Sequence, residues 1–513
     1  MTSKSELENL KFFELYFGEA ANEKLAKKQC ESNKRENPLM QAMLHYNGWK
    51  NGKRESKKAY EHFWQHLKQN KKTGRKDNAY ALVMLSKMYQ EGDGVEKNLD
   101  RAFELNIDAI ELGNPIALHN LASMYENGIG VEENHHMAAQ FYEKAKEMQN
   151  LESIFKLANL YHEGQKLGKD MGKALQYYKM AAAKNHKEAI HNLGSMHFRG
   201  EGVEKDYQIA FDLYNKAAQL GNIKSMYALA YMHQKGLGTE QNCKKSFELY
   251  VKASKLGDIK SMYNLALSYE NGVGTQQNLD KALELYNKAA ELGNSDAMHN
   301  LAYKYKNGEG VQQDNLKAIQ LYQKAVDLGD SDAMNNLAFM YHKGVGVEQN
   351  FDKAKELYSK GVALGNSKSM HSLAFMYHKG IGTDQNFKKA MELYEEAAKL
   401  GENKSLNNLA LMYKNGEGVQ VDLDLSAHYY YLLARFEPKL NHDSFSEILK
   451  DKNISFKKEY FPFWPNSSSL QAILINLLLI SKNRRQSHLQ GTQYMIKGVT
   501  MNIIKFLCLN QQI

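Results

Sequence analysis

The sequence predicts an all-α solenoid of about ten 36-residue repeats, each made of two helices, with helical caps at its ends. The first observation is a glycine that recurs every 36 residues from position 92 to position 416, ten times in all. The second is a leucine seven positions before each of these glycines, always followed by a small residue. The third is the absence of proline between Pro115 and Pro438, which leaves the helices uninterrupted. Because a fixed period of this length is typical of stacked repeats, the block 77–436 predicts a solenoid.

The apolar spacing within one period predicts two amphipathic helices. In the seventh repeat, Ala297, Leu301 and Tyr305 are spaced i, i+4 and i+8, as on one face of a first helix. After the glycine turn, Ala318 and Tyr322 keep the four-residue spacing of a second helix. A unit of 36 residues cannot bury such faces alone, so successive repeats are expected to stack.

Residues suited to capping mark the predicted helix ends. Gly329 follows the second helix of the seventh repeat and suits the left-handed backbone conformation that often ends a helix. An asparagine or aspartate precedes every second helix, and its short side chain can accept an unpaired N–H group of the first turn. These predicted N-caps are Asn98, Asn134, Asp170, Asp206, Asn242, Asn278, Asp314, Asn350, Asn386 and Asp422.

The composition favours a folded protein of a reducing compartment. Of the 513 residues, 43% are apolar, which is enough for a sizeable core and excludes wholesale disorder. No run approaches the roughly 18 apolar residues of a membrane helix. The first residues are polar and acidic rather than an apolar signal core. Cys30, Cys243 and Cys508 are too far apart for a disulfide framework or zinc-ligand spacing. We therefore expect a cytoplasmic location, with association with the endoplasmic reticulum as the alternative.

The chain has a net charge of +8, and its excess of basic side chains lies at the two ends. Residues 1–76 carry 17 basic and 9 acidic side chains, and residues 437–513 carry 10 and 5. The block between them carries 40 basic and 45 acidic side chains. A nucleic-acid groove along the repeats would need the opposite sign, so no nucleic acid is expected as a partner. The basic ends leave contact with a membrane surface open.

These shifts in composition divide the chain into four segments. Residues 1–38 predict an amphipathic helical segment, and residues 39–76 resemble an eroded repeat or N-terminal cap, with Leu44, Tyr46 and Ala59 in phase. Residues 77–436 hold the ten repeats. Residues 437–513 predict a C-terminal cap with a basic and partly apolar tail, because the exposed end of a solenoid must be covered.

The repeated pattern resembles the Sel-one-like repeat family, a relative of the tetratricopeptide repeat. Residues 297–311 read A-M-H-N-L-A-Y-K-Y-K-N-G-E-G-V, with Lys-Ala pairs at 317–318 and 324–325. The resemblance covers about 360 residues in ten in-phase copies and implies a right-handed α–α superhelix. It also implies a scaffold or adaptor that binds partner proteins or peptides along its concave face and assembles a complex.

Two other functions stay open beside the scaffold. The chain could be a regulatory subunit of a membrane-associated complex, such as a ubiquitin-ligase adaptor in endoplasmic-reticulum-associated degradation, that docks through its ends. It could also be an enzyme of unrecognised type, although the sequence favours no enzymatic activity. The sequence names neither the partner nor the oligomeric state.

No motif predicts a catalytic residue, a metal or a cofactor. The recurring Gly-x-Gly lacks the preceding strand and following residues of a phosphate-binding loop, so it predicts a turn. His62 and His66 have the i, i+4 spacing of zinc proteases, but Phe63 stands where those enzymes have glutamate, and no third ligand is evident. His342 and His378 occupy equivalent positions in adjacent repeats, and we expect them at the surface or in the groove.

The candidate binding surface comprises three positions of the first helix that the core stripe does not require. They lie two and one residues before the leucine and two after it, and by resemblance to tetratricopeptide repeats they face the concave groove. The asparagine that recurs one residue before the leucine can hydrogen-bond a ligand's backbone. The candidate residues are Tyr227, Tyr231, Tyr263, Asn264, Leu267, His299, Asn300, Tyr303, Asn336, Phe339, His371, Phe375, Asn408 and Leu411.

The position two residues after the leucine changes character along the chain. Repeats one to four carry Lys87, Ser123, Asn159 and Ser195, whereas repeats five to ten carry tyrosine, leucine or phenylalanine. These apolar side chains either pack between adjacent first helices or form an exposed strip that anchors a partner. The sequence leaves both interpretations open.

Overall fold

The computed structural model describes residues 38–48, 53–70, 75–164 and 167–436, and the chain divides into two compact units after Asp258. Every regular element among these residues is an α-helix. The first unit contains α1 (Pro38–Tyr46), α2 (Ser56–Gln69), α3 (Arg75–Glu91), α4 (Leu99–Glu111), α5 (Pro115–Asn127), α6 (His135–Glu147), α7 (Leu151–Glu163), α8 (Met171–Ala183), α9 (Lys187–Arg199), α10 (Tyr207–Gln219), α11 (Ile223–Lys235) and α12 (Cys243–Lys255).

The second unit continues the same alternation of first and second helices. It contains α13 (Ile259–Asn271), α14 (Leu279–Glu291), α15 (Ser295–Asn307), α16 (Asn315–Asp327), α17 (Ser331–Lys343), α18 (Phe351–Ala363), α19 (Ser367–Lys379), α20 (Phe387–Lys399), α21 (Asn403–Asn415) and α22 (Leu423–Phe436). Within each unit, every helix packs against the helices that precede and follow it in sequence. The predicted all-α solenoid of two-helix repeats is confirmed.

The predicted caps begin and end the helices as expected. In the seventh repeat, the Asp314 side chain accepts the backbone N–H of Lys317 at 2.9 Å and begins α16. All ten predicted N-caps accept the N–H three residues further on. Gly308 ends α15 with a φ of +72°, a left-handed conformation that glycine adopts without steric cost.

The second glycine of each turn lets successive repeats approach closely. A Cβ atom on Gly310 would overlap the side chain of Leu279, the first residue of the second helix in the preceding repeat. Gly310 also has a φ of +72°. The glycines of these turns thus allow the left-handed backbone conformation and the close packing of neighbouring repeats.

The core of each repeat is a leucine from the first helix and a tyrosine from the second. Leu301 and the small residue Ala302 are buried on α15, and Tyr322 and the small residue Ala318 are buried on α16. Full burial of one such side chain contributes about 1.5–3 kcal/mol. The first repeat has Asn106 in place of the tyrosine. The side-chain amide of Asn106 donates to the Ser86 hydroxyl at 2.8 Å, and both residues are fully buried.

A helix pair precedes the ten repeats. Leu44 and Tyr46 on α1 and Ala59 on α2 are buried, in the segment 39–76 predicted as an eroded repeat. The predicted C-terminal tail, at residues 437–513, and all of the predicted N-terminal segment 1–38 except Pro38 lie outside the described residues. Among the helices that the structure describes, none combines the length and apolar character needed to cross a bilayer.

Candidate protein-binding face

The residues two positions after the core leucines of the second unit form a surface that we call the apolar strip. It consists of Leu267, Tyr303, Phe339, Phe375 and Leu411. Tyr303 is 43% exposed and Phe339 is 42% exposed. Phe375 and Leu411 are half-buried, and Leu267 packs against the core. The middle of the apolar strip is therefore surface rather than core, and its role in binding stays a prediction.

Lys306 lies between the two exposed rings of the apolar strip. Its Nζ atom is 5.4 Å from the ring centroid of Tyr303 and 5.5 Å from that of Phe339. At these distances the ammonium group attracts the faces of both rings. Partial burial lowers the pKa of Lys306. The two rings therefore form an apolar platform from neighbouring repeats, with one basic group beside it.

In the third repeat, the equivalent position is used differently. Asn159 Oδ1 accepts the hydroxyl of Tyr178 at 2.7 Å and the side-chain amide of Asn192 at 3.2 Å. Asn159 thereby satisfies polar groups between two successive repeats. Tyr231, in the fifth repeat, is 36% exposed and is the first apolar residue of this series. Between Asn159 and Tyr303, an internal hydrogen-bond acceptor is thus replaced by a partly exposed aromatic ring.

The candidate residues two positions before the leucines pack between repeats. His371 Nδ1 hydrogen-bonds Ser405 Oγ of the following repeat at 3.0 Å. The same contact occurs twice in the first unit, at 3.0 Å for His119 with Ser153 and at 2.8 Å for His191 with Ser225. Burial lowers the pKa of His119 and of His191 to about 4. The rings of Tyr227 and Tyr263 lie against the buried Tyr250 and Tyr286.

His299 departs from this arrangement because its repeat neighbour has alanine in place of serine. Ala333 occupies the position equivalent to Ser405, so His299 Nδ1 has no hydrogen-bond partner among the described residues. Asp330 Oδ1 lies 4.0 Å from this nitrogen, beyond hydrogen-bonding distance. The Asn336 side-chain amide lies 3.4 Å from Nε2 of the same ring. Burial lowers the pKa of His299, which favours the neutral ring.

The recurring asparagine has a packing role that the sequence did not indicate. Asn336 donates its side-chain N–H to the hydroxyl of the buried Tyr322 at 3.3 Å, and Asn300 donates to the Tyr263 hydroxyl at 3.2 Å. Asn264 donates to a backbone carbonyl of its own helix. Burial raises the pKa of Tyr394, and a hydrogen bond from Asn408 partly opposes this shift. The amides therefore satisfy groups of the solenoid itself, and a contact with a ligand's backbone stays a prediction.

A cavity of about 390 Å³ lies at the N-terminal ends of α15 and α17. We call it the acid cavity because its lining includes Asp296, Asp330 and Asp332, beside Tyr263 and His299. Asp296 and Asp332 are the second residues of α15 and α17, and Asp330 is the N-cap of α17. The sequence repeat thus places carboxylates from the N-terminal ends of two successive first helices at one opening.

The carboxylates of the acid cavity differ in their surroundings. Partial burial and the nearby charge of Asp330 raise the pKa of Asp296. Partial burial opposes ionisation of Asp332 as well, but Lys368 Nζ at 3.2 Å outweighs it, so the pKa of Asp332 is lowered. The Asp330 side chain is only 10% exposed, and its Oδ1 accepts the Ala333 N–H at 2.8 Å. The cavity can therefore attract a cationic group.

The expectation of surface or groove positions for His342 and His378 is wrong. Both side chains are buried, and their rings lie edge-on against Phe351 and Phe387, the first residues of the second helices that follow. His378 Nε2 also contacts the Glu417 carboxylate of the next repeat. Within the described ranges, no group of three His, Cys, Asp or Glu side chains is placed to hold a metal ion.

Sequence reasoning missed Lys306 and the three aspartates of the acid cavity. The signal was present in the residue five positions before each core leucine, which is lysine in repeats six, nine and ten but aspartate in repeats seven and eight. This local reversal of charge would have located the cavity. Lys306 follows Tyr303 by three residues, a spacing that places two side chains on the same side of a helix.

A family model and solved structures match the chain. The model of the Sel1 repeat matches ten consecutive segments: 79–114, 115–150, 151–186, 187–222, 223–258, 259–294, 295–330, 331–366, 367–402 and 403–435. These segments make up well over half of the 513 residues. No curated protein matches the chain.

Two solved structures are similar to this chain. One is a protective antigen present in uropathogenic Escherichia coli strains that displays an SLR fold. It is 26% identical with a TM-score of 0.60, and the match covers 87% of this chain and 94% of the antigen. The other is a Sel1 repeat protein from Oxalobacter formigenes. It is 27% identical with a TM-score of 0.45, and the match covers 49% of this chain and 99% of that protein.

Proposed function

Because the chain belongs to the Sel1 repeat family, we propose that it is a scaffold that binds a partner protein or peptide along the apolar strip. Proteins of this family are generally scaffolds for protein–protein interaction, and their solenoid is typically not enzymatic. One observation carries the choice of surface: Tyr303 and Phe339 are exposed at a position that does not belong to the core. Exposed aromatic side chains that come together are frequent anchors of protein interfaces.

A triple substitution of the apolar strip tests the proposal. Changing Tyr303, Phe339 and Phe375 to serine should abolish partner capture, because truncation of interface anchors commonly costs 2 kcal/mol or more each. The helix content and the melting temperature should stay close to those of the unchanged protein, since Tyr303 and Phe339 lie at the surface, 43% and 42% exposed. A melting temperature that collapses would instead assign these side chains to the core.

The matched control removes three other exposed apolar side chains of the same unit. Leu292, Leu364 and Leu400 follow second helices and are 49%, 57% and 57% exposed. Changing all three to serine removes comparable apolar surface outside the apolar strip. Site-specific photo-cross-linking from position 303, with position 364 as the reference, identifies the bound protein. If both triple variants capture the same partners as the unchanged protein, the apolar strip is not the binding surface.

The basic ends support an alternative in which the protein docks to a membrane complex. To distinguish the two functions, binding to partner proteins and to anionic liposomes is measured for the full chain and for a fragment of residues 77–436. We propose a cytoplasmic location, for which fluorescence microscopy of the tagged full chain is the test. Partner capture that needs only the ends would favour the alternative.

A further inference from the structure

The acid cavity and the apolar strip occupy the same helices, and together they have an uneven charge. Asp296 lies one turn before His299 on α15, and Tyr303 and Lys306 follow on the next turns. One end of this surface is therefore acidic, its middle is aromatic, and its far end carries a basic group. A ligand that covers all three must itself carry a positive charge at one end.

The acid cavity has more negative charge than the surrounding basic groups neutralise. Asp296 forms no ion pair among the described residues, although the charge of Lys260 acts on it, and Asp330 lies 4.0 Å from His299, whose neutral form burial favours. Asp332 pairs with Lys368, but both side chains are more than half exposed, so this contact can open at little cost. The N-terminal ends of α15 and α17 help to keep the carboxylates ionised without a cation.

The cavity suits an organic cation better than a metal ion. Its volume of about 390 Å³ is far larger than a metal ion requires, and these carboxylates do not form a metal-binding group. A guanidinium group has five N–H donors in a planar fork and can bond two carboxylates at once. An arginine side chain therefore fits the chemistry, and lysine fits it less well.

We propose, on the basis of the scaffold function above, that the acid cavity receives an arginine side chain of a partner peptide whose apolar side chain packs on Tyr303 and Phe339. The helix sets the spacing between the two contacts. Asp296 and Tyr303 are seven residues apart, which is about 10.5 Å along an α-helix. An extended peptide covers this distance in about three residues. The recognised sequence is thus an arginine and an apolar residue about three positions apart.

Fluorescence anisotropy with labelled 12-residue peptides tests the proposal on the full chain. The probe carries one arginine and one phenylalanine three positions apart in a glycine–serine background, and both orders are measured. Companion peptides replace the arginine with lysine or with neutral citrulline. Arginine should bind at least about tenfold more tightly than citrulline and also more tightly than lysine. This preference should decrease as salt is added.

The variant pair Asp296→Asn with Asp332→Asn isolates the charge of the acid cavity. It should remove the preference for arginine over citrulline and weaken binding of the arginine peptide about tenfold. The control pair Asp280→Asn with Asp352→Asn changes the same charge at the second residue of α14 and α18, outside the cavity. Circular dichroism melting verifies that both pairs fold.

Several outcomes would overturn the proposal. Equal binding of arginine and citrulline peptides, no binding of any peptide, or equal losses in the two variant pairs would each do so. A peptide of residues 480–489 that binds with the same cavity dependence and displaces the probe would assign the site to the chain's own basic tail. The scaffold function is judged separately, because cross-linking from position 303 uses none of these peptides.

Discussion

Asn159 in the first unit and Tyr303 in the second occupy the same position of the 36-residue repeat, two residues after a core leucine. Asn159 accepts hydrogen bonds from Tyr178 and Asn192 and so links two repeats internally. Tyr303 is 43% exposed. The bond from the next repeat's asparagine to the core tyrosine hydroxyl is common to both places, at 3.1 Å for Asn192 with Tyr178 and 3.3 Å for Asn336 with Tyr322. The comparison shows that the fold accepts either a polar linker or an exposed ring here. A position with this freedom can be used for binding without a change in the core.

The cores of the two units should respond equally to the same substitution. Leu157 and Leu301 are both buried at the same position of the repeat. Changing either to alanine should lower the free energy of unfolding by about 2–5 kcal/mol, because it removes buried methyl groups and leaves a cavity. Each loss should spread to adjacent repeats, since neighbours are coupled through their interfaces.

Denaturant unfolding of the two leucine variants measures this effect. The transition should also become less cooperative, because one weakened repeat uncouples those on either side. A variant that unfolds like the unchanged protein would show that its leucine is not part of the core. A large difference between the two would break the equivalence of the units.

Substitutions two residues after the leucine should affect the stability of the two units unequally. Asn159→Tyr removes the oxygen that accepts from Tyr178 and Asn192, and should cost about 1–3 kcal/mol. Tyr303→Asn removes a ring that is 43% exposed and should change the free energy of unfolding by no more than about 0.5 kcal/mol. Thermal melting of both variants is the measurement. Similar losses in the two would mean that Tyr303 packs as tightly as Asn159.

Much of the fold was predictable because ten copies impose the same physical requirement at the same position. The leucines, the capping residues and the glycine turns each follow from one local rule repeated in phase. The exposure of Tyr303 was not predictable in this way, since an aromatic residue on a helix satisfies a packed interface or a free surface equally well. Only the position of the neighbouring helix decides between them.

The acid cavity escaped prediction for a different reason. Its carboxylates come from two repeats, at Asp296 in one and at Asp330 and Asp332 in the next, and no local motif joins them. His342 and His378 were wrongly expected to be exposed, because their burial depends on the second helix that follows each of them. Contacts between elements therefore determine what the repeat pattern leaves open.

A smaller effect than that of Asn159→Tyr is expected at the histidine that lacks a serine partner. Ala333→Ser should supply His299 Nδ1 with the hydrogen bond that His371 makes to Ser405. The added hydroxyl should fit, since serine is buried at this position in repeats three, five, six, nine and ten. The free energy of unfolding should rise by about 0.5–1.5 kcal/mol, the usual net value of one internal hydrogen bond.

Ser405→Ala is the matched control and should lower the free energy of unfolding by a similar or somewhat larger amount, because it leaves a buried ring nitrogen unpaired. Both values come from denaturant unfolding of the full chain. If Ala333→Ser has no effect while Ser405→Ala destabilises, the surroundings of His299 differ from those of His371 by more than one hydroxyl.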